Sequence, residues 1–282
     1  MQRLALLFAL CLPAVTCGGN PITPTPPVTS PPPVVTPNTA PVIRSLTAFD
    51  GRTEVGRDIE ITADVTDAET PAGQLTYEWT ANAGAFTGTG ARVTWRLAAG
   101  LTATPVNVTI TLTVIERYTE VVGSSSTPRE HRVSSTAAPF RVHDSRAEVS
   151  KMTMTFLVDY FGNSAVGPDQ CLVDFSNNCP GKQAEFQDIV RDRQNYQMVN
   201  GAQATIASVT FNGAMTTADV VAPCSFTSRS RTTGLVGSSR GDCLLTAIYE
   251  QNRWWLCSSS YVNVVPVSGA PHAIFGWDGR RR

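Results

Sequence analysis

Five mature cysteines, three histidines and two short motifs hold most of the reactive chemistry this sequence offers. Gly237-Ser238-Ser239-Arg240-Gly241 has the Gly-x-Ser-x-Gly spacing of a nucleophile elbow, and Glu250 and His272 follow in the order such hydrolases use. An elbow needs a strand before its serine and a helix after it. Residues 242–250 read as a strand, so the motif is expected to be a Gly/Ser-rich hairpin loop. Arg240-Gly241-Asp242 in that loop spells an integrin-binding tripeptide, for which chance is a sufficient explanation. His131, His143 and His272 fall in a loop, at a domain boundary and in the tail, and none lies in a run that predicts a cleft. Asp64, Asp67 and Glu69 could offer hard oxygen ligands to Ca²⁺ from one strand-to-loop segment, and a solvated turn accounts for the same residues. No close Cys or His pair has zinc-ligand spacing, and no residue set implies a cofactor.

The remaining chemistry is disulfide formation. Setting aside Cys11 and Cys17 near the amino terminus leaves Cys171, Cys179, Cys224, Cys243 and Cys257, all in the second half. A hairpin turning at Gln251-Asn252 sets position 246 opposite 257 and 243 opposite 260, which places Cys243 and Cys257 on opposite sheet faces. The preferred set is therefore Cys171 with Cys179 and Cys224 with Cys243, leaving Cys257 buried and free.

These residues must be positioned by an exported chain in two folded parts. Arg3 precedes the apolar run 4–12, long enough for a signal peptide and too short for a spanning helix. Ala14-Val15-Thr16-Cys17 resembles a bacterial lipobox in which Cys17 becomes the lipidated first residue, although Ala14 and Thr16 depart from the usual pattern. Residues 21–41 hold nine prolines and no charge, a composition that favours an extended stalk. Residues 17–41 therefore form the linker. From 42 to 144 apolar residues alternate with polar ones: Ile59, Ile61, Val65; Leu75, Tyr77, Trp79; Val93, Trp95, Leu97; and the run 106–114. Period two, with Gly and Pro clusters between runs, predicts an all-β sandwich. The 75–79 and 106–114 runs resemble a PKD or related immunoglobulin-like domain, here without a cysteine.

The second part, 147–265, changes pattern. Val149, Met152, Phe156, Leu157 and Tyr160 recur at helical spacing and predict a helix over 147–161. A second helix is expected over 180–194, with Phe186, Ile189 and Val190 on one face. Strands follow at 204–211, 217–226, 242–250 and 254–262, with Asn212-Gly213 as a tight turn and a tail from 266 to 282. Helices first and an antiparallel sheet afterwards is an α+β arrangement. With Phe156-Leu157-Val158-Asp159-Tyr160-Phe161, the segment 174–182 and Arg253-Trp254-Trp255-Leu256-Cys257-Ser258-Ser259, this order resembles the NTF2-like fold, the superfamily of ketosteroid isomerase and the SnoaL-like cyclases. The resemblance implies a cone of helices packed on a curved antiparallel sheet, enclosing a small-molecule cavity or offering a docking surface. It also implies a way to do chemistry: an apolar wall raises a carboxylate's pKa while a tyrosine stabilises an oxyanion. Tyr160 with Asp174 or Asp188 are the candidates; core packing of Tyr160 and solvated or capping acids are the alternative. By alternation Tyr249 and Trp254 share one face of the last hairpin and Trp255 and Tyr261 the other, either packing in the core or stacking on a ligand.

Formal net charge is −1, from 22 basic and 23 acidic residues. That provides no concentrated positive field for nucleic acid. The expectation is an exported protein, lipid-anchored in a bacterial envelope or else secreted. It would be non-catalytic and would bind a small apolar ligand or an envelope protein; a pocket isomerase, cyclase or dehydratase is the alternative.

Overall fold

The computed structural model describes residues 37–49, 51–100, 103–162 and 165–269. Cys17, the signal and most of the linker, His272 and the end of the tail lie outside them.

The first part is built from strands β1 (Val42–Thr47), β2 (Arg52–Glu54), β3 (Ile59–Thr66), β4 (Thr76–Ala81), β5 (Ala85–Thr87), β6 (Arg92–Arg96), β7 (Val106–Val108), β8 (Ile110–Val122), β9 (Ser125–Thr136) and β10 (Phe140–His143). They form three sheets, ordered β1-β3-β6-β5, β4-β8-β9 and β2-β10-β7. The pairing is antiparallel except between β10 and β2. Alternation places Ile59, Ile61, Val93 and Trp95 inward, where they pack with Val108, Ile110, Phe140 and Val142. Trp95 meets Phe140 edge to face at 5.1 Å, and its indole N–H donates to the Ala83 carbonyl at 2.9 Å. Gly84 beside it has φ +82°, and a Cβ there would lie 2.5 Å from the indole. Both backbone and space therefore demand glycine.

The run 106–114 changes sheets at Thr109, because β7 pairs with β10 and β8 with β4. Asn82 brackets the break, its amide donating to the Asn107 carbonyl and its oxygen accepting from Thr109 N–H, each at 2.9 Å. The inward–outward alternation continues through the break, so the pattern alone reads as one strand. His131, expected in a loop, instead pairs with Glu116 across the long β8–β9 ribbon. That ribbon's outer half is polar, with Thr, Ser, Arg and Glu where an apolar face would have announced a strand.

The second part comprises α1 (Ser145–Phe161), α2 (Pro168–Cys171), α3 (Gly181–Asn195), β11 (Tyr196–Ala204), β12 (Ser208–Phe211), β13 (Thr217–Ser230), β14 (Val236–Glu250) and β15 (Arg253–Gly269). It is α+β: an antiparallel sheet ordered β11-β13-β14-β15, with β12 also on β13, carries the helices against its buried face. Asp144 caps α1 by accepting from Ala147 N–H at 3.0 Å. The expected 204–211 strand is two, broken at residues 205–207. The turn after it is longer than Asn212-Gly213 alone: the Asn212 side chain accepts from the Thr216 and Thr217 amides, and Met215 takes the positive φ. The tail also begins later than expected, since β15 continues to Gly269.

Gly237-Ser238-Ser239-Arg240-Gly241 is not a loop. It lies inside β14, with Ser239 opposite Phe226, and the reversal between β13 and β14 falls at residues 231–235. Arg240-Gly241-Asp242 is accordingly extended strand. Gly241 is needed because a Cβ there would meet the Val262 carbonyl at 2.6 Å and the Tyr261 ring at 2.8 Å.

The last hairpin turns at Gln251 and Asn252, whose φ values of 51° and 61° fit a type I′ turn. Beyond Leu256 the register slips by one residue. Thr246 faces Ser258 and Cys243 faces Tyr261, because Cys257 is an extra residue on β15. The bulge overturns the expected face-sharing of Trp255 and Tyr261. Tyr261 joins Trp254 in the core, while Trp255 packs under the Arg253 guanidinium at 3.8 Å. It also revises the disulfides. Cys224 pairs with Cys243, but Cys179 pairs with Cys257, and Cys171 is free and buried. The segment before α3 is held beside the bulge: Ser176 N–H donates to the Leu256 carbonyl at 2.9 Å, and Leu256 N–H to the Asp174 carbonyl at 2.8 Å. Gly181 completes this close approach, since a Cβ there would lie 2.9 Å from the Cys257 carbonyl.

Candidate functional site

Aromatic rings fill the space between helices and sheet. Phe175 and Phe156 meet at 4.9 Å, Tyr160 stacks on Phe161 at 4.3 Å, Phe161 stacks on Phe226 at 4.8 Å, and Phe226 meets Tyr261 at 5.2 Å. All six are buried. They come from the apolar faces of α1, β13 and β15, with Phe175 from the segment clamped to β15.

A carboxylate does meet Tyr160 within this packing, but it belongs to Asp192. The Tyr160 hydroxyl donates to Asp192 Oδ2 at 2.7 Å, and both residues are about 1% exposed. Burial raises the Asp192 carboxyl from its ordinary value to about 6, against the lowering effect of Tyr160 and Arg191. Burial first, then the neighbouring Asp192 charge, pushes the Tyr160 phenol well above its usual range, so it stays a neutral donor. Two turns earlier Glu185 accepts from the Ser259 amide and hydroxyl at 3.2 and 2.8 Å, and burial raises it to about 7. Its Oε2 makes no hydrogen bond among the described residues. Asp188, one of the expected acids, lies one turn from Asp192 and pairs with Arg191 at 2.7 Å. Asp174 is elsewhere, paired with Arg253 at 2.8 Å. The sequence did carry a signal for the acids that were missed. Glu185 and Asp192 are spaced i and i+7 and flank buried Ile189, so they fall on the helix's core-facing stripe.

Tyr249 and Trp254 serve the junction between the two parts. Arg52 of β2 lies 3.7 Å over the Tyr249 ring and 5.2 Å from that of Trp254, and donates to the Met215 carbonyl and to Ser145 Oγ. The Trp254 indole N–H donates to the same Ser145 hydroxyl, which in turn donates to Glu54. His143 sits between Glu148 at 2.8 Å and the Tyr249 hydroxyl at 3.0 Å. These aromatics are thus committed to protein contacts.

An open feature of this part is on the sheet's other face. A concavity of about 500 Å³ crosses four strands and is lined by Gln203, Ser225, Arg240, Asp242, Asn263 and Val265 among others. Cross-strand register aligns Gln203, Ser225, Arg240 and Val265 in one row. Arg240 is exposed and has no ion pair among the described residues, whereas Asp242 accepts from the Asn263 amide at 2.7 Å. Beside it, at the same end of the β14–β15 ladder, Val236, Val264, Val265 and Val267 are 38 to 58% exposed.

Of the three acids considered for Ca²⁺, Asp64, Asp67 and Glu69, the last two are engaged internally. Asp67 accepts from the Glu69 and Thr70 amides, and Glu69 accepts from Thr39. Among the described residues no group of three His, Cys, Asp or Glu could hold a metal ion.

No protein-family profile and no curated protein matches this chain. Solved structures similar to it include a conserved protein from Planctomyces limnophilus at 14% identity, covering 43% of this chain and 97% of that one with a TM-score of 0.34. A candidate scytalone dehydratase from Novosphingobium aromaticivorans matches at 12% identity, over 49% of this chain and 95% of its own, with a TM-score of 0.34. An Ntf2-like protein involved in plasmid conjugation matches at 9% identity, over 61% and 75%, with a TM-score of 0.24. Such distant likenesses carry no activity across.

Proposed function

We propose that this chain is an exported, membrane-tethered, non-catalytic binding protein, an immunoglobulin-like sandwich carrying an NTF2-like module that docks an envelope protein on the outer face of its sheet. The observation that carries the reading is the Arg240 guanidinium, without an ion pair among the described residues, in a four-strand concavity bordered by exposed valines. An apolar patch rimmed by polar groups is the usual anatomy of a protein-docking surface. Arg240 calls for a partner carboxylate, while the interior is occupied by stacked rings. The tether rests on the lipobox-like Cys17 and the proline-rich stalk, and two disulfides fit an oxidising compartment. A photo-crosslinking side chain at Val265, opposite Arg240 in the same concavity, in the full-length protein with Arg240 intact and expressed in its own envelope, tests the docking face. A discrete protein adduct at 265 and not at Val121 on the far ribbon is expected; equal or no labelling at 265 would refute it.

A second reading is favoured by Tyr160 and Asp192: a pocket enzyme of the isomerase, cyclase or dehydratase kind. A neutral tyrosine donor beside a raised carboxylate is a usable acid–base pair once substrate can reach it. Turnover of an enolisable ketone that Tyr160→Phe and Asp192→Asn each abolish, without loss of fold, would establish this reading over the first.

A further inference from the structure

Among the described residues two tyrosine–histidine–glutamate arrays occur, and they differ in access. The one at Tyr249, His143 and Glu148 is enclosed at the junction, with His143 fully buried. The other lies on the β8–β9 ribbon. Glu116 there is fully buried and accepts from Asn38 at 2.8 Å and Thr70 at 2.6 Å through Oε1, while Oε2 faces His131 Nδ1 at 3.1 Å. Burial alone would raise this carboxyl, but the bonds from Thr70, Asn38 and His131 outweigh it and hold Glu116 below its usual range. The carboxylate is an acceptor only, so Nδ1 must carry the imidazole proton. That leaves the Nε2 lone pair directed at the Tyr118 hydroxyl, 3.2 Å away.

We infer that Tyr118 is an activated phenol, a nucleophile with His131 as its general base and Glu116 as the group that orients His131. The register makes the array: Glu116 and His131 are directly opposed, and Tyr118 follows Glu116 by two positions on the same face. The His131 side chain is 26% exposed, Tyr118 is partly exposed, and a surface concavity of about 460 Å³ borders Tyr118 with Arg117, Arg129 and Pro128. The substrate class is an activated acyl ester. The phenol oxygen attacks the acyl carbonyl carbon as its proton passes to His131 Nε2. The ester C–O bond breaks, and the leaving group takes that proton, giving an acylated Tyr118 and the free alcohol or phenol. No oxidant or metal is required.

The test is the full-length protein incubated with p-nitrophenyl acetate, with the acetylated peptides mapped by mass spectrometry over time. General-base assistance of typically 10² or more predicts that Tyr118 acetylates about 100-fold faster than Tyr77 on the adjoining strand. Tyr118→Phe should remove the fast adduct, and His131→Gln, which can still donate to Glu116, should bring Tyr118 down to the rate of Tyr77. In the wild-type chain the fast rate should show a larger solvent deuterium isotope effect than the rate at Tyr77, because the phenol proton moves to His131 Nε2 as the oxygen attacks. Acetylation of Tyr118 no faster than Tyr77, or a fast rate indifferent to both His131→Gln and D₂O, would overturn the inference. If His131→Gln alters the fold, the wild-type isotope effect decides alone.

Discussion

Replacing Glu185 with Gln should make the protein more stable above neutral pH and leave it nearly unchanged in mild acid. In the folded chain the Glu185 carboxyl holds its proton to about pH 7 because it is 6% exposed, receives among the described residues only the two bonds from Ser259, and feels the neighbouring Asp188 and Asp192 charges. Unfolded, it titrates near its ordinary 4.5. The native state therefore binds the extra proton between those values, and the associated stability is fully present below about 4.5 and lost as pH rises through about 7. The interval, at roughly 1.4 kcal/mol per pH unit, amounts to about 3 kcal/mol. Asp192, raised from 3.8 to about 6, adds a loss of the same sign in a slightly lower window. Glutamine keeps an acceptor for Ser259 and has no proton to lose. Urea unfolding near pH 4 and near pH 8 gives the comparison. Glu185→Gln should match the wild type at the lower pH and gain about 3 kcal/mol at the higher, a midpoint shift of about 1 M or more. Parallel pH dependence of the two proteins would show that Glu185 ionises freely in the folded state and that the packing described around it is wrong.

Other perturbations probe the supports. Gly84→Ala must strain a positive φ and push a methyl into Trp95, so a loss of about 2 kcal/mol or more is expected in thermal melts, against under 0.5 for Gly73→Ala, where nothing lies near. Non-reducing peptide mapping should find Cys179 joined to Cys257, with Cys171 alkylated only after unfolding. Removing that bridge by Cys257→Ser should cost about 4 kcal/mol, given the 78 residues it spans, and removing Cys224–Cys243 about 3 kcal/mol for 19. Arg52→Ala strips the junction of its contacts with Tyr249, Ser145 and Met215. It should cost about 2 to 3 kcal/mol and split one calorimetric transition into two, whereas an unchanged single transition would mean the junction contributes little.

Periodicity carried the reading of the elements well. The α1 stripe from Val149 to Tyr160 and the alternation through Ile59, Ile61 and Val65 are set by which side must be dry, and both reappear as buried faces. What escaped depends on single residues that leave periodicity intact. Thr109 changes sheets without breaking alternation, and the Cys257 bulge shifts register beyond a correctly placed turn, moving Tyr261 to the other face and giving Cys179 a different partner. Gly241 looks like a loop residue but sits in a strand because Tyr261 and the Val262 carbonyl crowd it. At the candidate site Tyr160 was legible as an inward-facing residue. Its acid was not, because ordinary helix reading treats Asp192 as solvent-facing until Ile189 and Glu185 are placed on the same stripe. Arg240 was hidden by the motif around it.

The docking face is tested most directly by native mass spectrometry of the full-length protein, extracted in detergent from its own envelope, with Arg240 intact and with Arg240→Glu. A bound polypeptide in the first sample that is missing from the second is the expected result. A small molecule retained equally by both, or a chain without any partner in either, would contradict recognition through this face.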